Sequence, residues 1–332
     1  MTSISILGAG SWGTALAQTF AINFDQVVLW THSESQAKEL KQSHTNPRYL
    51  EGISLAKNIV PTADLDEASK SSIIVFVVPT KATREVSEKL GQCPSLNQNA
   101  VLVSCAKGIE RGSGKRMSEI IAELIPGHPV AVLSGPNHAE EVAKQLPAAA
   151  VIGCSDVDLA RELQHKLSAP RFRLYCSDDI AGIELGAAIK NVFAIAAGIS
   201  DGLGLGDNAT AALVTRGLAE MARLGPALGG QPETFVGLSG VGDLMVTCYS
   251  HHSRNNRVGR ALGQGGKLDE IVEGLGMVAE GVPNTLSIYE QAQKAGVRTP
   301  LIDAVYSVLY EDKVPAQALE ELFTRELKHE QD

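Results

Sequence analysis

Ser3-Ile4-Ser5-Ile6-Leu7-Gly8-Ala9-Gly10-Ser11-Trp12-Gly13-Thr14-Ala15-Leu16-Ala17-Gln18-Thr19-Phe20 decides the architecture of the N-terminal half. Ser3–Leu7 reads as a short strand and Thr14–Phe20 as the start of a helix, with three glycines at GxGxxG spacing between them. Glycines alone at that spacing are common, whereas strand, glycines and helix in that order form a dinucleotide-binding fingerprint. Gly8 makes the tight turn and Gly10 lets backbone N–H groups approach a pyrophosphate. Gly13 lets helix and strand pack closely, with the helix N-terminus facing the anion.

Outward from this motif, short β-branched runs alternate with amphipathic segments, the pattern of a parallel sheet with crossover helices. The candidate strands are Ser3–Leu7, Gln26–Trp30, Ile73–Val78, Val101–Ser104, Val130–Leu133, Ala149–Ile152 and Phe172–Tyr175. Their near-continuous apolar character means that both sheet faces are covered. From about Asp179 the β-runs stop. Helices are expected over Ile180–Ala197, Asn208–Leu224, Arg254–Leu262, Asn284–Ala295, Pro300–Tyr310 and Pro315–Arg325. The fold class is therefore an α/β Rossmann-type N-terminal domain, residues 1–178, followed by an all-α C-terminal domain, residues 179–332. A chain of 332 residues suits two domains.

Hydrophobic residues make up 44% of the chain and charged residues 20%, an ordinary soluble globular composition, with disorder expected only over Leu327–Asp332. A net charge of -9 argues against nucleic acid or an anionic membrane as the main partner. A small anionic ligand then needs a local cluster of Lys and Arg. The five cysteines are odd in number and widely spaced, which fits a reducing cytoplasm and no disulfide framework. Cys248, His251 and His252 lack a second ligand pair, so no metal is expected. The apolar run Ile73–Pro79 is too short to span a bilayer, and no integral membrane segment is expected. The apolar excess of the helical half suggests a homodimer.

Within Ile183–Ala197, Lys190 is the only charged residue once Glu184 at the edge is set aside. A helix apolar all round is a buried one. At helical spacing the neighbours of Lys190 are Gly186, Ala187, Phe193 and Ala194, none able to pair with an ammonium. A buried, unpaired lysine lowers its pKa or finds a partner elsewhere, and either suits a general acid or base. Lys107, after strand Val101–Ser104, and the Ser134-Gly135-Pro136-Asn137-His138-Ala139-Glu140 segment, after the next strand, lie at the sheet edge that holds the glycine loop. Gly237–Arg257 reads as a glycine-rich turn that delivers Asp243, the partner Lys190 lacks, followed by a loop to a helix opened by Ser253, Arg254 and Asn255. Those side chains at a helix N-terminus make a phosphate site. The second strand ends Trp30-Thr31-His32-Ser33, without the acidic residue that usually grips the ribose 2′-OH; Glu34 lies a little further on. A 2′-phosphate then has room, so NADPH is expected to serve at least as well as NADH.

GAGSWGTALA at the N-terminus, AKGIE around Lys107, SGPNHAEE, AAIKNVFAIAAG around Lys190 and GDLMVTCYSHHSRNNRVG are together similar to the bacterial NAD(P)-dependent glycerol-3-phosphate dehydrogenases, in order along the whole chain. The resemblance implies NADP and NAD as cofactors and a small phosphorylated substrate, dihydroxyacetone phosphate, reduced to sn-glycerol 3-phosphate for phospholipid synthesis. It implies Lys190 as proton donor and acceptor, with Lys107 touching both substrate and nicotinamide. Substrate contacts would be Gly135, Asn137, Asn191, Asp243, Ser253, Arg254 and Asn255. Cofactor contacts would be Ser11, Trp12, His32, Ala139, Val278 and Glu280, with Arg254 close to both. Asn137 stands where Ser or Thr is frequent, and His32 where a basic or polar residue varies. A β-hydroxyacid dehydrogenase of similar architecture would share the glycine loop and a Lys-Asn pair but bind a carboxylate; the Asp243–Asn255 segment separates the two. A non-catalytic NADPH sensor would leave the buried lysine unexplained.

Overall fold

The computed structural model describes residues 2–275, 278–327 and 329. The first half runs β1 (Ser3–Leu7), α1 (Ser11–Phe20), β2 (Gln26–Trp30), α2 (Glu34–Ser43), β3 (Thr45–Asn46), β4 (Leu50–Ser54), β5 (Ile59–Thr62), α3 (Leu65–Ala68), β6 (Ile73–Phe76), α4 (Thr80–Gly91), β7 (Val101–Ser104), α5 (Met117–Leu124), β8 (Val130–Ser134), α6 (Ala139–Ala143), β9 (Ala148–Cys154), α7 (Val157–Leu167) and β10 (Phe172–Ser177). Helices follow: α8 (Ile180–Gly202), α9 (Gly206–Ala227), α10 (Pro232–Phe235), a π-helical turn Leu238–Gly242, α11 (Asp243–Tyr249), α12 (Arg254–Gly263), α13 (Leu268–Gly274), α14 (Gly281–Ala295), α15 (Pro300–Tyr310) and α16 (Pro315–Phe323). The expected disorder over Leu327–Asp332 falls, for residues 328 and 330–332, outside the described residues.

The main sheet has the order β10-β9-β8-β7-β6-β1-β2-β5. β1 lies between β2 and β6, with Leu7 opposite both Trp30 and Phe76. Strand order reverses at β1, and in open α/β sheets ligands bind beyond the carboxyl ends of the strands at that reversal. Side chains alternate between two cores with the period of a strand: Val27 and Leu29 join one, Val28 and Trp30 the other.

The expectation of a wholly parallel sheet is corrected at β9, which pairs antiparallel with β8, while β10 runs parallel to β9. A parallel return needs a crossover long enough to carry the chain back along the strand. α6 has five residues, as has β8, and a helix rises less than half as far per residue as a strand. β5 escapes sequence reading because it contains Pro61; as an edge strand paired only to β2, it tolerates a residue with no N–H to donate. The stretch from the glycine-rich turn to Ser253 is likewise not all loop: its glycines form the π-helical turn and Asp243 opens α11, while a helix does open at Ser253 as expected.

α8 organises the second half, its residues 182–200 buried among α9, α11, α12, α14 and α15, and it also packs on β8 and β9. By length and composition alone it could cross a membrane, but 89% of its apolar window is buried inside the protein, as in a core helix. α12 lies backbone to backbone against it. A Cβ at Gly259 would stand 2.0 Å from the Ile195 carbonyl oxygen.

Three buried carboxylates fasten helix starts to these elements. Asp179 caps α8 through Gly182 N–H and accepts from Gln231 N–H and the Thr234 hydroxyl. Glu184, taken from sequence as an edge residue, is buried at 4% exposure and accepts from the N–H and hydroxyl of Ser118 in the first turn of α5. Glu220 of α9 accepts from Leu301 and Ile302 N–H at the start of α15, whose own N-cap Thr299 makes no capping bond. Burial pushes Glu184 and Glu220 up to about 7 against the pull of these donors.

A carboxyl raised when folded holds its proton longer than when unfolded, so stability falls as pH climbs from the unfolded carboxyl range to about 7. Glu220→Gln keeps one of the two acceptor oxygens and removes the titrating charge. The variant is expected to flatten that slope and to gain roughly 1–3 kcal/mol on wild type at pH 8 relative to pH 5, measured by urea unfolding. Equal slopes in both proteins would contradict it.

Candidate active site

A cleft of about 440 Å³ opens beyond the carboxyl ends of β1, β2, β6 and β7, closed on its far side by α8, α11 and the start of α12. At one end is the glycine loop. A Cβ at Gly13 would stand 1.8 Å from the Gly8 carbonyl oxygen, so helix and strand approach closely; at Gly10 a Cβ would meet nothing within 4 Å, because that side faces the cleft. α1 begins after Gly10 with no side-chain cap, leaving its first amides to an external acceptor. Open glycine, uncapped amides and the apolar wall of Val77, Val78 and Pro79 fit a dinucleotide pyrophosphate and its rings. The end of β2 is tied to this loop: Thr31 donates to Gln36 Oε1 (2.6 Å), and Gln36 Nε2 donates to the Ala9 carbonyl (2.9 Å). His32 is exposed there.

At the other end stands a charged cluster. Lys190, 4% exposed, donates from Nζ to Asp243 Oδ1 (2.7 Å) and Thr247 Oγ1 (2.6 Å). Lys107 Nζ donates to the other Asp243 oxygen (2.6 Å) and to the Gly135 carbonyl (3.0 Å). One buried carboxylate thus bridges two ammonium groups. Burial lowers the Lys190 amine to about 8, opposed by Asp243 and assisted by the charge of Lys107. For Asp243, burial works to raise the carboxyl, but the two lysines together hold it below its ordinary value.

Around this cluster, Asn255 donates to Asn191 Oδ1 (2.9 Å) and accepts from Gly281 N–H (2.9 Å), so the two amides lock α8, α12 and α14 together while still lining the cleft. Ser253 Oγ caps α12, accepting from Asn256 N–H (3.2 Å), and its hydroxyl proton remains to be given. Arg254 follows, exposed in the cleft. Glu280 accepts from Thr80 N–H at the head of α4 (3.0 Å), with Val278 beside it on the cleft wall.

Gly8, Gly10, Ser11, Trp12, Gly13, His32, Lys107, Asn137, Lys190, Asn191, Asp243, Ser253, Arg254, Asn255, Val278 and Glu280 all line the one cleft. Gly135 and Ala139 do not: Gly135 meets Lys107 through its carbonyl, and Ala139 is buried at the start of α6. Sequence reading missed Thr247, although it lies four residues past Asp243 on one helix and so shares its face. It also missed His138, whose Nε2, like both amide atoms of Asn137, is buried in the cleft wall without a partner among the described residues. A lone histidine after Gly-Pro-Asn carries no signal of this in sequence.

The chain matches the family model NAD-dependent glycerol-3-phosphate dehydrogenase N-terminus over residues 3–160 and the corresponding C-terminus model over residues 179–320. It belongs to this family. The glycerol-3-phosphate dehydrogenase (NAD(P)+) of Lysinibacillus sphaericus is 48% identical, covering 100% of this chain and 99% of the relative. That of Pediococcus pentosaceus is also 48% identical, with 98% of each covered. The crystal structure of glycerol-3-phosphate dehydrogenase from Coxiella burnetii superposes with a TM-score of 0.93 at 40% identity, covering 98% of this chain and 99% of that one. The chain is thus an oxidoreductase with NAD(P)-dependent glycerol-3-phosphate dehydrogenase activity, and NAD(P) is its cofactor.

Gly10→Ala places a methyl where no protein atom lies within 4 Å and where the pyrophosphate would sit. The variant is expected to keep its Tm and to bind NADPH at least about ten-fold more weakly, or about 1.4 kcal/mol, by calorimetric titration. Unchanged affinity would remove the glycine loop from the cofactor site.

Proposed function

We propose that the enzyme works in the direction of dihydroxyacetone phosphate reduction, forming sn-glycerol 3-phosphate for glycerophospholipid synthesis, with Lys190 as general acid. The observation that carries this reading is the Asp243 carboxylate shared by Lys190 and Lys107 in the cleft that begins at the glycine loop. The bound dihydronicotinamide supplies the hydride. As charge builds on the substrate carbonyl oxygen, the Lys190 ammonium meets it with a hydrogen bond and then a proton, and Lys107 sets a second positive charge nearby. Asp243 orients both lysines and, held below its ordinary pKa, does not take the proton itself. In the reverse direction the free Lys190 amine receives the alcohol proton.

Ser253 and Arg254, at the N-terminus of α12, take the phosphate, so that binding remote from the reacting carbon holds the carbonyl in place. Asn137, Asn191 and Asn255 complete the substrate side, with Gly135 acting from behind through its carbonyl on Lys107. Gly8, Gly10, Ser11, Trp12, Gly13, His32, Val278 and Glu280 complete the cofactor side, with Ala139 buried behind that wall and Lys107 and Arg254 reaching both ligands. Among the described residues no carboxylate lines the cleft at the end of β2, which favours acceptance of NADPH at least as readily as NADH. We assign residues 1–178 as the dinucleotide-binding Rossmann-like domain and 179–332 as the all-helical substrate and catalytic domain, each lending residues to the other's ligand. A cytoplasmic homodimer is the inferred setting, supported by the cysteine content and by exposed Tyr310, Val314 and Phe323 on the helical half.

The direct test is NADPH consumption by the purified protein with dihydroxyacetone phosphate; turnover of 3-hydroxyisobutyrate instead would favour the carboxylate-binding alternative. Lys190→Ala is expected to lower kcat by about 10²–10⁴ with cofactor affinity intact. The ammonium form is required for reduction, so kcat/KM should hold at neutral pH and fall as pH rises through about 8. Oxidation of sn-glycerol 3-phosphate, which requires the free amine, should rise over the same interval. Arg254→Ala should raise KM by roughly ten- to hundred-fold with a smaller change in kcat, since the dianion loses its charged fork. A normal KM would place the phosphate elsewhere.

A further inference from the structure

Lys107 lies in an irregular segment between Cys105, whose N–H donates to the Phe76 carbonyl, and Ile109, bridged to Arg116, and itself belongs to no helix or strand. A lysine side chain has four flexible bonds, and the place of its ammonium depends on how firmly its main chain is held. Asn284, on α14 and 1% exposed, donates from Nδ2 to the Lys107 carbonyl at 2.7 Å; Asn191 reaches the same oxygen at 3.4 Å. The next residue leaves no slack. A Cβ at Gly108 would lie 2.5 Å from Asn284 Oδ1 and 2.6 Å from Thr80 Oγ1, so the segment is gripped between α14 and α4. One turn earlier, at the N-cap of α14, Glu280 holds the Thr80 N–H. Residues four apart share a helix face, and this face seizes the head of α4 and the Lys107 segment together. Asn284 does not itself line the cleft.

We propose that Asn284 is a positioning residue for the reaction: by holding the Lys107 main chain it sets the Lys107 ammonium against Asp243. The inference rests on the reading of Lys107 as part of the reacting site. Without Asn284 the carbonyl keeps only the long contact to Asn191, and a displacement near 1 Å in a reacting site is enough to cost turnover.

The test compares wild type, Asn284→Ala, Lys107→Ala and the double variant as full-length enzymes. Asn284→Ala should lower kcat/KM for dihydroxyacetone phosphate on the order of ten-fold and leave the NADPH dissociation constant within about two-fold. In the Lys107→Ala background the same substitution should change kcat/KM less than about two-fold, because its route of action is gone. The pH profile gives a second readout. Lys190 faces Asp243, Thr247, Lys107, Cys248 and His138; with Lys107 displaced, its proton is repelled less and Asp243 is left to it alone, so the alkaline limb should move to higher pH. If the alanine variant does not fold, Asn284→Ser, too short to reach the carbonyl, carries the same expectations. Equal losses in both backgrounds, or a lowered Tm with an unmoved limb, would make Asn284 a packing residue and overturn the proposal. Wild-type kcat/KM in Lys107→Ala would instead remove Lys107 from the reacting site, and the positioning role with it.

Discussion

Two ammonium groups on one buried carboxylate make the interaction from which the rest of the structure follows. Taking Lys190 and Asp243 out of water costs several kcal/mol for each, and only short, well-directed contacts offset that cost, while Lys107 keeps part of its hydration. Asp243 meets the condition by giving one oxygen to each lysine. The cluster keeps one net positive charge, an arrangement suited to an oxyanion and poorly suited to water. Its geometry depends on three elements of different origin: α8 carries Lys190, α11 carries Asp243 and Thr247, and the segment after β7 carries Lys107. The burial of α8 is what denies Lys190 an escape to solvent.

The sheet fixes where this cluster can meet a cofactor. β1 is the strand at which sheet order reverses, and the glycine loop leaves its carboxyl end. β7 ends on the same rim, so the strand that delivers Lys107 is two places from the strand that delivers the glycines. The helical half need only lay α8 and α11 across that rim to complete the cleft.

Much of this was legible in the sequence because it rests on local pattern. The strand-glycine-helix order, the buried lysine with no partner on its own helix and the charged opening of α12 depend on neighbours within a few residues. The hidden parts depend on contacts distant in the chain. Glu184 passes for an edge residue until α5 is found lying over it. Asn191 and Asn255 are 64 residues apart, and only the folded chain shows them bonded to one another. The antiparallel turn at β9 comes from the shortness of α6. α11 was hidden by glycines that signal a turn in sequence yet here form a π-helical lead into a helix. Thr247 was within reach of a spacing argument, whereas the unpartnered nitrogen of His138 was not.

Glu184 has a consequence for movement. It lies on the helix that carries Lys190, yet its carboxylate is sunk into the first turn of α5, and α8 rests directly on β8 and β9. A jaw that swung open between the two halves would have to draw that carboxylate out of its socket and peel the helix from the sheet. Any parting of the two halves therefore has to break these contacts, or turn about them as a fixed seat.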